Sequence, residues 1–218
     1  MSAASSIRSH HCETPREELA NCLTHCLGIA LSIVALVFMI FAAKSDPVRL
    51  ASVSIFGTTL ILLYASSTLY HSLSGHRAKA FFRWLDHACI YLLIAGSYTP
   101  LTLVTLSGPR GWTLLGVVWF LALTGVILKA VLTRRKDHWI STLLYVVMGW
   151  LVLLVMGPLT KLLPSAGIWW LVAGGFSYTF GTLFYAWKKL PFNHAIWHLF
   201  VLGGSACHVV AVVVYILR

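Results

Sequence analysis

The chain has 218 residues, 59% of them hydrophobic and only 10% charged, with a mean hydropathy of +0.84. A soluble domain carries roughly 25% charged residues, so these values exclude an ordinary soluble enzyme and point to an integral membrane protein. The net charge of +10 suits loops lying against anionic headgroups, and because the basic residues are spread over short loops without forming a patch, no nucleic-acid partner is expected.

Residues 1–21 read as a polar N-terminal tail; Glu13, Glu17 and Glu18 do not fit a cleavable signal peptide. Seven apolar runs follow, near 22–43, 48–72, 84–106, 112–132, 139–160, 168–187 and 194–217. About 20 such residues cross a bilayer core. The runs are separated by turn and charge signals, among them "KSDPVR", "SGPRG", "TRRKDH" and "KKLPFN". Short loops make neighbouring helices antiparallel and leave no room for a second domain. Nothing shows the alternation of a membrane barrel. The expectation is an all-α fold, a single seven-transmembrane-helix bundle over residues 22–218.

Lysine and arginine orient it. One side holds Arg8, Arg16, Arg77, Lys79, Arg83, Lys129, Arg134, Arg135, Lys136, Lys188 and Lys189; the other holds Lys44, Arg49, Arg110, Lys161 and Arg218. The larger set marks the cytoplasm, which puts the N-terminus inside and the C-terminus outside. Trp112, Trp139, Trp169 and Trp170 fall near span ends, as an aromatic belt does. Cys12, Cys22, Cys26, Cys89 and Cys207 are odd in number with no CxxC, and read as free thiols.

On this topology the ionisable residues of the spans share one layer. Span one carries His25 in "NCLTHCLG". Span two ends in "SSTLYHS", with Ser67 and His71. Span three begins "WLDHACIY", with Asp86. Span seven begins "NHAIWHLF", with His194 and His198. Ionisable groups within spans are costly and usually face the bundle interior with a function. His194 and His198, at i and i+4, share a helix face and can both reach a metal at the ~2.0–2.1 Å of a zinc–nitrogen bond. His71 makes a third imidazole, and three protein ligands leave a fourth tetrahedral position open. This donor set favours Zn²⁺ over calcium or magnesium.

Asp86 then ligates the metal, directly or through water, or serves as general base. Ser67, four residues before His71, faces the same way and can hydrogen-bond a water or a developing oxyanion. The plainer alternatives are a closed structural clasp and a polar network with no metal. His25 alone reads as structural. His87 points away from its neighbour Asp86. His208 lies about 21 Å beyond His194 at ~1.5 Å per residue and reads as an outer packing contact.

"EELANCLTHCLG" (17–28), "SSTLYH" (66–71), "LDHACIYLLIAGSYTP" (85–100) and "HAIWH" (194–198), in this order, resemble the bacterial hemolysin III family. That family belongs with the progestin and adipoQ receptors, which include the adiponectin receptors; alkaline ceramidases share a similar pattern. The resemblance covers the chain from about Glu17 to its end. It implies a seven-helix bundle with a cytoplasmic N-terminus, and zinc held at the positions of His71, His194 and His198. It places the residues matching Asp86 and Ser67 near the bound water. For bacterial members it implies a link to membrane lipid homeostasis.

The expected function is a zinc-dependent hydrolase of an amide or ester bond in a membrane lipid, in a bacterial plasma (inner) membrane. The expected partner is a membrane lipid or a fatty acid. The alternative is a sensor of membrane state with structural zinc. A cytolytic pore ranks last, because a lysin needs a soluble form and the polar groups cluster at one depth.

Overall fold

The structure, a computed structural model, describes residues 14–131 and 138–218. Arg8, Cys12, Glu13, Arg134, Arg135 and Lys136 lie outside the described residues, so part of the charge count does too.

The first helix, α1, runs Pro15–Ala42. It starts seven residues ahead of the expected span because Thr14 and Glu17 form a reciprocal capping box with Pro15 in the first turn. Lys44 and Ser45, both at positive φ, turn the chain. Asp46 then caps α2, Pro47–Ser72, by accepting from the Arg49 amide. Helix α3, His76–Pro100, is prolonged by a π-helical stretch, Leu101–Leu106, and α4 is Gly108–Val131. The fifth run is broken: α5, His138–Gly149, passes through a 3₁₀ stretch, Trp150–Val155, into α6, Met156–Leu162. Then come α7, Ser165–Ala186, and α8, Asn193–Ala211, which ends in a second π-helical stretch, Val212–Ile216. No strand occurs among the described residues.

Six helical stretches are long and apolar enough to cross a membrane: Pro15–Ala42, Pro47–Ser72, His76–Leu106, Gly108–Val131, Trp139–Leu162 and Asn193–Ile216. The expected run at 168–187 forms α7 but is not among the six. Gly174, Gly175, Ser177, Tyr178, Thr179, Gly181 and Thr182 dilute its apolar character. Large apolar side chains stand exposed along the other helices, Phe41 and Leu154 at 77% and Phe120 at 69%. A surface of that kind is stable only in contact with lipid.

Helix α1 packs between α2 and α8, α2 against α3, α3 against α4, and α7 along α8, while α5 touches α3 and α7. The first and last helices are therefore neighbours. Close approach of α1 to α2 depends on Gly28: a Cβ there would lie 2.6 Å from Tyr64 Cδ1. The break after α5 is repaired from α3. The Tyr98 hydroxyl donates to the carbonyls of Gly149 (2.7 Å) and Met148 (3.1 Å) and accepts from the Val152 amide (2.8 Å). Backbone groups freed at membrane depth need such partners, because lipid offers none.

Candidate metal centre

The C-terminal end of α2 delivers His71, and the first turns of α8 deliver His194 and His198. All three are buried, and one ligating atom from each lies within 4.8 Å of the other two. Chain entry into α8 is specific. Phe192 adopts a left-handed conformation (φ 57), and its amide donates to Glu17 Oε1 at 3.1 Å. Glu17 thus caps its own helix and fixes the start of the helix that carries two of the imidazoles.

The outer edges of two rings are engaged, which decides which nitrogen faces the centre. His71 Nδ1 donates to Glu18 Oε2 at 2.6 Å, and Lys79 Nζ donates to Glu18 Oε1 at 2.7 Å. His198 Nδ1 donates to the Asn21 carbonyl (3.2 Å) and to Thr24 Oγ1 (3.0 Å). The Thr24 hydroxyl proton is already committed to the Ala20 and Asn21 carbonyls. Both rings are held in the tautomer that leaves Nε2 as a lone-pair donor. This is the outer-sphere arrangement that orients histidine ligands of metals. His198 Nε2 is buried with no hydrogen-bond partner among the described residues. Three imidazoles so arranged fit zinc.

Asp86 stands outside the three-histidine group. It is buried and lies close enough to His71 and Ser67 to interact with both. Asp86 Oδ1 and Ser67 Oγ are buried without a partner at hydrogen-bonding distance. A polar ligand such as water would satisfy both. His87 Nδ1 donates to the Arg83 carbonyl at 2.7 Å and takes no place in the group. Cys22, Cys26, Cys89 and Cys207 are free.

Two elements of the site were not legible as such. The sequence assigns Glu18 no role of its own at the histidines; its signal is a carboxylate two helical turns before His25 in a chain with six acidic residues. His25 is not isolated: its ring stacks on His198 with centroids 3.4 Å apart and planes 14° apart. Polar groups are also not confined to one depth. Seven residues beyond His198, Ser205 accepts from Tyr64 OH (2.7 Å) and bonds Tyr178 OH (2.9 Å). Further along α8, His208 Nε2 donates to the Leu171 carbonyl at 3.3 Å.

Beside the histidines lies a largely apolar cavity, about 1190 Å³ including its open part, between α3, α5, the 3₁₀ stretch, α7 and α8. Leu63, Leu93, Val201 and Leu171 are among its walls, with His25 and His208 in the lining too.

The sequence pattern of the family described as Haemolysin-III related matches residues 14–209. The chain is 48% identical over 204 residues to Hemolysin-3 of Bacillus cereus, covering 93% of each chain. It is 48% identical over 207 residues to a Hemolysin-3 homolog of Bacillus subtilis (strain 168), covering 94% of this chain and 97% of that one. It is 30% identical over 208 residues to the human monocyte to macrophage differentiation factor, covering 93% of this chain and 85% of the other.

Proposed function

The chain belongs to the Haemolysin-III related family, and from that premise we propose that it is a membrane-embedded, zinc-dependent hydrolase of an amide or ester bond in a membrane lipid. The observation that carries this reading is the buried group of His71, His194 and His198, with two of its rings held from behind by Glu18, Asn21 and Thr24. We read α7 as a seventh crossing, the N-terminus as cytoplasmic and the site as lying at the depth of the inner leaflet of a bacterial plasma membrane.

Zinc held by the three histidines would lower the pKa of a water towards ~7 and polarise a carbonyl. Asp86, without a partner on Oδ1, takes a proton from the attacking water as general base. Ser67 Oγ donates to the oxyanion that develops on the carbonyl. The apolar cavity holds an acyl chain, leaving its polar linkage at the histidine end.

The test is metal content per chain for detergent-purified wild type, His194→Ala and Asp86→Asn, followed by a lipid hydrolysis screen. One zinc in wild type and Asp86→Asn, none in His194→Ala, and turnover lost in Asp86→Asn is the expected result. Zinc without turnover in any variant turns the reading to a structural clasp joining α2 and α8, in a sensor of membrane lipid. Absence of zinc in wild type overturns the metal reading itself.

A further inference from the structure

The His71 side chain is 0% exposed, but the groups behind it reach the surface: the Glu18 side chain is 25% exposed and that of Lys79 31%. The three form a line, His71 Nδ1 to Glu18 Oε2 at 2.6 Å and Glu18 Oε1 to Lys79 Nζ at 2.7 Å. Each stands on a different helix, α2, α1 and α3 in that order. Lys79 Nζ also lies 5.0 Å from the centre of the Tyr70 ring, and that ring is 4.5 Å from the His71 ring. One ammonium thus engages two groups that flank the imidazole. Helix α3 gains nothing from a cation here. Lys79 follows His76 and Arg77 at the opening of the helix, where the end is partly positive and a carboxylate is the stabilising group. A part-exposed ion pair also adds little to stability. What this pair fixes is direction: a carboxylate one-quarter exposed can turn to water, and Lys79 on Oε1 keeps Oε2 on the ring. Lys79 is also two helical turns before Asp86 on α3, so the line ties the helix that carries Asp86 to the clustered histidines.

We propose that Lys79 is a positioning residue of the metal centre, which holds Glu18 so that Glu18 holds the His71 ring in place for zinc. Lys79 acts through two intervening groups and does not touch the metal. The sign of its effect is distinctive. By charge alone, a cation near the site repels a dication, and its removal tightens zinc binding. By position, its removal lets Glu18 turn away and weakens zinc binding. This rests on the reading of the three histidines as a zinc site, but it does not require turnover.

The test is the zinc dissociation constant of full-length protein in detergent, measured by chelator competition. The proteins are wild type, Lys79→Met, Lys79→Arg, Glu18→Ala and the double variant carrying Glu18→Ala and Lys79→Met, and the thermal midpoint of each zinc-free protein is recorded alongside. Methionine keeps an unbranched stem and removes the charge; arginine keeps a cation that donates to a carboxylate. Lys79→Met is expected to weaken zinc about fivefold, short of the ~10–100-fold cost of losing an outer-sphere partner outright. Lys79→Arg stays within about twofold of wild type, because the charge-assisted bond to Glu18 survives. In the Glu18→Ala background Lys79→Met costs nothing more, since two groups acting in one line are not additive. The zinc-free midpoints of wild type and Lys79→Met coincide, as a part-exposed ion pair implies. Unchanged or tighter zinc binding in Lys79→Met overturns the proposal, and so does a weakening that is equal with and without Glu18. A zinc-free midpoint that falls in step with affinity overturns it too, by making Lys79 a brace of the fold. Wild type that binds no zinc overturns the metal reading and the proposal together, whereas equal binding by wild type and Lys79→Met overturns the proposal alone.

Discussion

Glu18 grips the His71 ring at 2.6 Å and is itself gripped by Lys79 at 2.7 Å, so its effect on a metal is transmitted through one imidazole. Glu18→Ala is expected to weaken zinc binding about 10–100-fold, the usual cost of losing an outer-sphere partner. Competition with a chromophoric chelator measures it, and unchanged affinity would show that His71 needs no orienting. Phe192 offers a gain instead of a loss. It is a bulky residue at φ 57, a region that costs an L-residue about 1–2 kcal/mol. Phe192→Gly removes that strain and leaves the amide bond to Glu17 in place, so the thermal midpoint in detergent should rise.

Two helix-level features carry predictions. A Cβ on Gly28 would lie 2.6 Å from Tyr64 Cδ1, and Tyr64 is pinned by its hydroxyl on Ser205 and its ring on His25. Because Tyr64 is held at both ends, Gly28→Ala must push α1 away from α2, at about 1–3 kcal/mol for overpacking. A midpoint equal to wild type would show that the interface yields freely. Tyr98→Phe deletes the hydroxyl that mends the break between α5 and the 3₁₀ stretch. It leaves the Val152 amide and Gly149 carbonyl to be satisfied elsewhere, at about 1–3 kcal/mol, and hydrogen exchange over 149–155 should quicken. The sequence disclosed this level unevenly. His194 and His198 were legible because their spacing is local and helical. The broken fifth run was not: its apolar pattern looks continuous, and what stabilises the break is a tyrosine some fifty positions earlier. The weak apolar character of α7 is written in its glycines and hydroxyls, but that these face α8 and the cavity is not.

In the molecule as a whole, the centre is built from opposite ends of the chain. The partners of His198 sit on α1 at separations of 174 and 177 residues, and Glu18 and His71 are 53 apart. Such pairs leave no periodic trace, so the clustered histidines could be read from sequence while their supports could not. Because the clustered histidines join α2 to α8 and their supports add α1, chelation should loosen all three helices. With free zinc at ~1,000 times Kd, bound metal adds about 4 kcal/mol. Wild type should therefore lose thermal stability on adding a chelator, and His194→Ala should not respond.

The meeting of Glu17 with Phe192 across 175 residues also sets a timetable for biogenesis. A ribosome that has finished α1 to α7 has released His71 and Lys79, which Glu18 grips, but neither the Phe192 amide that Glu17 accepts from nor the His198 ring that Asn21 and Thr24 hold. The three-histidine cluster is then complete only after the last helix emerges, and a chain stalled before Phe192 carries a mark of being unfinished: Glu17 Oε1, Asn21 and Thr24 on its first helix lack the partners that the last helix brings.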